Sequence, residues 1–119
     1  MPLETRYVFI ASMDVDPEVE ALFNEVYDQE HVPELLKVPG VVSVTRCRKV
    51  AAELSIGGDL IPVGDPEPAY IAIYELENPD VLKSEAWSAA VDKGRWAGEV
   101  RPYTRNRHHV MHRVAVTSP

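Results

Sequence analysis

The chain has 119 residues, 45% of them hydrophobic and 26% charged, with a formal net charge of −7 from 12 Lys+Arg against 19 Asp+Glu. That size and mix predict one globular domain over residues 1–119 and argue against disorder, and the acidic balance argues against sequence-independent nucleic-acid binding, which depends on neutralising phosphates. No apolar run approaches the ~20 residues that cross a bilayer. The Met-Pro-Leu-Glu-Thr-Arg start lacks the layout of a secretory leader, and one cysteine, Cys47, permits no intrachain disulfide. A cytoplasmic protein without membrane partners is expected.

Residues 5–13 are β-branched and aromatic and predict a first strand, apolar on both alternating faces. Asp16-Pro17 is a helix start, with Asp as cap and Pro in the first turn. The stripe Val19, Leu22, Phe23, Val26, Tyr27 then recurs at helical spacing and extends to Glu30 and His31. Pro33 disfavours helical geometry at Val32, so the regular helix is predicted to end near His31. Residues 41–52 read as a second strand, with Arg46 and Arg48 on one face and Cys47 and Lys49 on the other. Residues 53–67, with Gly57-Gly58, Pro62, Gly64 and Pro66, read as a loop, long enough to suggest a functional or interface segment. Residues 69–76 predict a third strand, with Tyr70, Ala72, Tyr74 and Leu76 on one face. Asn78-Pro79-Asp80 opens a second helix to about residue 97, with Leu82, Ala86, Trp87, Ala90 and Val91 inward, and residues 107–116 predict a fourth strand.

The order β-α-β-β-α-β, with right-handed crossovers, implies a ferredoxin-like α+β fold: a four-stranded antiparallel sheet with both helices on one face. The other sheet face is then bare and apolar. A second copy of the same chain, packed sheet to sheet about a two-fold axis, is the economical cover. Charge is uneven along the chain. Residues 1–92 hold 18 acids and six bases, whereas residues 93–119 hold one acid, six bases and three of the four histidines. That basic end suits an anionic small molecule or the acidic face of the first helix.

The run Tyr27-Asp28-Gln29-Glu30-His31-Val32-Pro33-Glu34-Leu35, followed by Pro39-Gly40-Val41, resembles the dimeric α+β barrel superfamily, and within it the EthD-like proteins. The matching positions are Tyr27, Glu30-His31, Pro33, Leu35 and Pro39-Gly40-Val41. The resemblance implies a homodimer with two cavities, each between helices and sheet and lined by His31. Proteins similar in plan include polyketide cyclases, muconolactone isomerases, cofactor-free monooxygenases and haem-degrading enzymes, and fold alone does not choose among them. The haem-degrading spacing of Asn, His and Trp is not evident here.

His31 is the leading candidate for general acid or base chemistry. A dipole end favours its charged form and burial opposes it, and the bland alternative is a structural histidine capping helix carbonyls. Tyr27 lies four residues before it on the same helix face. His108 and His112 share a face of the fourth strand, with His109 on the other. At ~13 Å apart the first two do not share a metal, but one of them could meet His31. Tyr70 and Tyr74 are candidate oxyanion donors or core rings. Trp87 fits the core stripe and Trp96 a cavity mouth. Arg48, with Arg46, suits a carboxylate clamp or, preferably, ion pairs with acids such as Glu75. Cys47 reads as buried and inert. The expected function is a cofactor-independent enzyme acting by His/Tyr proton transfer on an aromatic, polyketide-like or lactone compound, through an enolate-like intermediate. A non-catalytic ligand-binding or scaffold dimer is the alternative, and a cofactor-free or haem-dependent monooxygenase ranks below it. No cofactor or metal is expected.

Overall fold

The computed structural model describes residues 3–119. The reading of the chain start rests partly on Met1 and Pro2, which lie outside them. Strand β1 (Tyr7–Val15) leads through a short 3-10 turn (Pro17–Val19) into helix α1 (Glu20–Val26), a π turn (Tyr27–His31) and helix α2 (Val32–Leu36). Strands β2 (Val41–Arg48), β3 (Ala52–Ile56), β4 (Asp59–Val63) and β5 (Tyr70–Leu76) follow. A 3-10 turn (Pro79–Lys83), helix α3 (Glu85–Val91), a second π turn (Trp96–Val100), a 3-10 turn (Arg101–Tyr103) and strand β6 (Thr104–Arg113) complete the chain.

Four strands form one antiparallel sheet in the order β2-β5-β1-β6, the ferredoxin-like plan. Register sets the two faces. Phe9, Ala11 and Met13 of β1 align with Tyr74, Ala72 and Tyr70 of β5, and these face the helices. Phe23, Val26 and Tyr27 of the first helical segment pack there, as do Ala90 and Trp96 of the second, closing a core with Leu35, Leu76 and Val100 fully buried. The opposite face carries Ile10, Ile71, Ile73 and Val110, half-buried, beside exposed Thr45 and Cys47. No helix among the described residues is long and apolar enough to cross a membrane.

The helix does not stop at His31. The Val32 N–H bonds to the carbonyl of Tyr27, five residues back, and the helix resumes to Leu36 with Pro33 in its first turn. The wider π turn opens the coil where Pro33 lacks a donor, so the ring passes without the clash a tight α-turn would impose. The second helix is broken where a continuous one was expected. Asn78 caps only the 3-10 turn, its Oδ1 accepting from Asp80 N at 2.9 Å, and Ser84 caps α3, its Oγ accepting from Trp87 N at 3.1 Å. Gly94, at φ +66°, then turns the chain.

Most of residues 53–67 is not loop; only residues 64–67, after β4, remain outside regular structure. β3 and β4 form a separate hairpin closed by Gly57 and Gly58, both at positive φ as a tight type I′ turn requires. Cys47 is exposed, because β2 is an edge strand and its outer face carries no covering element. Glu75 also faces outward, accepting from Ser43 Oγ at 2.8 Å, so it does not pair with the arginines. Arg46 instead meets Asp28 at 2.5 Å and stacks over the Tyr27 ring, and Arg48 meets Glu20 at 3.7 Å.

Gly40 joins α2 to β2 at φ +95°, and a Cβ there would stand 2.5 Å from Val81 Cγ2. Gly40→Ala combines a left-handed backbone with a clash and is expected to cost about 1–3 kcal/mol in urea unfolding.

Candidate active site

Two π turns are pinned against each other across the helical layer. The Glu30 carboxylate accepts from Arg95 N at 3.0 Å and from Arg95 Nε at 2.7 Å, and Arg95 also reaches Glu25 at 3.0 Å. These bonds hold the Glu30 carboxyl below its ordinary range. They set Tyr27–His31 beside Trp96–Val100, and the His31 ring stacks on Trp96 with centroids 4.2 Å apart at 20°. Tyr27 meets both rings edge-on at 4.9 Å. An extra residue in a helix turn re-aims the side chains it carries, which is why such turns concentrate at functional sites.

Below this stack lies a cavity of about 150 Å³. Its walls are Phe9, Met13, Trp87 and Trp96, and its polar groups are His31, Tyr27 and Tyr74. The two tyrosine hydroxyls are 2.8 Å apart. Each carries one proton, so when one donates to the other, the second has its own O–H left to donate. Burial pushes both hydroxyl pKa values up, Tyr74 further than Tyr27, so both stay protonated at neutral pH. Arg101, Thr104, Arg107 and His109 line the cavity on the β6 side. Arg101 is paired with Asp92 at 2.9 Å, whereas among the described residues no acid pairs with Arg107.

His31 is 6% exposed, and its Nδ1 is buried with no hydrogen-bond partner. Burial, then the nearby Arg101 charge, lowers its pKa from 6.5 to about 4. The imidazole is therefore neutral at pH 7. The helix end that was expected to favour its charged form is absent, because the coil runs on past it. No three His, Cys, Asp or Glu side chains converge as metal ligands among the described residues.

No protein-family profile matches the chain, and no curated protein sequence does. Solved structures match its fold. A cofactor-independent oxygenase, SnoaB, from Streptomyces nogalater is 18% identical over 95% of this chain and 96% of its own, with a TM-score of 0.61. The haem degrader MhuD from Mycobacterium tuberculosis is 14% identical over 92% and 96%, with a TM-score of 0.60. An EthD family protein from Bacillus halodurans is 15% identical over 92% and 97%, with a TM-score of 0.55. These likenesses are of fold alone, the ferredoxin-like plan of one antiparallel sheet backed by helices. The haem that the mycobacterial structure holds is larger than this void, whose volume of about 150 Å³ takes a single ring.

Within this fold, five of the residues singled out from sequence come together: His31, Tyr27, Tyr74, Trp87 and Trp96. The tryptophans exchange the places expected of them, Trp96 being buried in the stack and Trp87 half-exposed. Tyr70 and Arg48 line a different surface pocket with Asn24 and Arg46, since β2 and the start of β5 lie beyond the cavity. His108 and His112 align with Ser12 and Val8 on the outer sheet face, while His109, opposite inward-facing Ala11, reaches the cavity. Alternation separated His109 from the other two. Which set turns inward depends on the β1–β6 register. Arg101 and Arg107 went unnamed as site residues, although both belong to the basic end of the sequence.

The depressed His31 pKa links folding to pH. The unfolded chain takes up this proton first as pH falls, so stability is lost between about pH 6.5 and pH 4, on the order of 3 kcal/mol at 1.36 kcal/mol per unit. Asp14 and Glu75, whose pKa values lie low, weaken the fold in the same direction. Chemical denaturation of wild type and His31→Phe across this range separates the contributions: the variant should show the smaller acid loss. The tyrosine pair is tested by a double-mutant cycle. Tyr27→Phe and Tyr74→Phe should each cost about 1 kcal/mol by orphaning the other hydroxyl, and the double variant less than their sum.

Proposed function

We propose that the cavity is the active site of a cofactor-independent enzyme that takes a proton from a small anionic aromatic or cyclic carbonyl compound. The observation that carries this reading is His31: a buried, neutral imidazole lining an aromatic-walled cavity beside a hydrogen-bonded tyrosine pair. A neutral imidazole has one ring nitrogen free to accept a proton. The Tyr27–Tyr74 pair supplies the donor for the charge that develops on the substrate oxygen. Arg107 supplies a cation for a carboxylate or phenolate at the mouth.

The proton leaves the carbon beside a carbonyl for the His31 imidazole. The electron pair of the broken C–H bond moves onto the carbonyl oxygen, which accepts from the tyrosine pair. Return of the proton to another carbon completes an isomerisation. Attack of the enolate carbon on a second carbonyl of the same molecule closes a ring, and the imidazolium then protonates the new alkoxide. A pKa of about 4 makes His31 a weak base in the empty site. A bound anion opposes the Arg101 field and raises that pKa toward the working range, so base strength arrives with the substrate. Oxygenation of the same carbanion is the second reading, favoured by the apolar walls, which admit dioxygen, and by the likeness to SnoaB.

The working unit in this proposal is a two-fold pair, because the outer sheet face leaves Ile10, Ile71, Ile73 and Val110 uncovered by any element of the chain.

The chain's two tryptophans both line the cavity, so their fluorescence reads its occupancy. Small aromatic carboxylates and phenolates should quench it. Arg107→Ala should weaken these about tenfold, a loss of 1.4 kcal/mol, and leave uncharged analogues unchanged. For a compound that is turned over, His31→Ala should lower kcat by 10²–10⁴ with little change in Kd. Binding with turnover indifferent to His31 would overturn the catalytic reading and leave a ligand-binding protein.

A further inference from the structure

Among the described residues, no helix or other strand covers the β3–β4 hairpin. All ten of its strand residues are exposed. Its register places Ala52, Leu54, Ile56, Ile61 and Val63 on one face, with Asp59 alone breaking the run. Leu54, Ile56, Ile61 and Val63 are 42–55% exposed. A free two-stranded ribbon is marginal in water, and one with an apolar face calls for a cover.

Charge names the cover. Residues 50–67 carry four acids, Glu53, Asp59, Asp65 and Glu67, and no Lys or Arg. Strand β6 is the reverse: Arg105, Arg107 and Arg113, three histidines and no acid. The two lie at opposite edges of the sheet, for the hairpin grows from the end of β2, and β6 is the far edge strand. When two such sheets pack face to face about an axis along the strands, the β2 edge of one copy meets the β6 edge of the other. The hairpin root also borders a groove floored by Cys47, Pro68, Ala69 and Ile71, which continues onto the outer sheet face.

We propose that the hairpin is an arm that clasps a second copy of this chain, its apolar face on the partner's β6 edge, so that Asp59, the acid on that face, meets the arginines and histidines there. This rests on the two-fold pairing of the preceding section. Because β6 also carries Arg107 and His109 at the cavity mouth, the arm of one copy borders the mouth of the other, and the site is complete only in the pair.

A charge swap tests it. Asp59→Lys reverses the arm, and His108→Glu/Arg113→Glu reverses the strand. Each variant alone should weaken self-association at least tenfold in sedimentation dilution series. An equimolar mixture should regain wild-type affinity as a 1:1 pair, because both of its arm contacts then join opposite charges. Unchanged circular dichroism spectra establish that each variant folds. A wild-type dimer indifferent to arm reversal would overturn the arm while leaving face-to-face pairing intact. A monomeric wild type at all concentrations would overturn both.

Discussion

The bond between Glu30 and the Arg95 backbone and side chain is the constraint on which the site depends. Glu30 stands between Tyr27 and His31 in one π turn, and Arg95 immediately precedes Trp96 in the other. One carboxylate therefore sets the separation of the two segments that contribute the His31–Trp96 stack. The approach is close: a Cβ on Gly94 would fall 2.6 Å from Glu30 Oε1. Glycine satisfies two demands there, the left-handed turn and the room for the carboxylate. An exposed ion pair alone contributes little, but here a backbone N–H and a guanidinium converge on one acceptor, and the geometry they fix matters more than their net energy.

The cavity resolves a conflict between stability and chemistry. Burying His31 without a partner for Nδ1 costs free energy, as any unpaired buried polar atom does. Stacking on Trp96, edge contacts from Tyr27 and a tight apolar layer around Phe23 and Val26 offset that cost. The π turns belong to the same balance. A regular α-helix would be broken by Pro33, while the wider turn accommodates it and rotates the following residues. The protein thus holds a neutral imidazole and two protonated phenols in one small void, with cations confined to its β6 side.

Much of the fold was legible in the chain. Helical spacing of Leu22, Phe23, Val26, Tyr27 and His31 placed these residues on one face, and all five turn inward. Alternation in residues 69–76 placed Tyr70 and Tyr74 on the helix side, as found. The hairpin was also written there, as Ala-Glu-Leu-Ser-Ile, Gly-Gly, then Asp-Leu-Ile-Pro-Val, but Pro62 and the glycines read as loop. Pro62 is tolerated because β4 has a partner on one side only. Cys47 and the arginine partners were misplaced for a single reason: which acids lie near a strand depends on its neighbours, not on its own pattern.

Local order is what the sequence by itself determined: element types, the inward stripe of the first helix, the unequal charge of the two ends, and the pairing of Tyr27 with His31 one turn apart. These follow from periodicity, caps and composition, which act over a few residues. Tertiary structure alone decided that His109 rather than His108 or His112 meets the cavity, that Trp96 stacks on His31, and that Tyr74 hydrogen-bonds Tyr27. Each of those joins residues dozens of positions apart, and strand register and the meeting of two π turns are set by packing the whole sheet against both helical segments. A one-residue slip of β6 would have exchanged its faces, with no change in the pattern from which the strand was read.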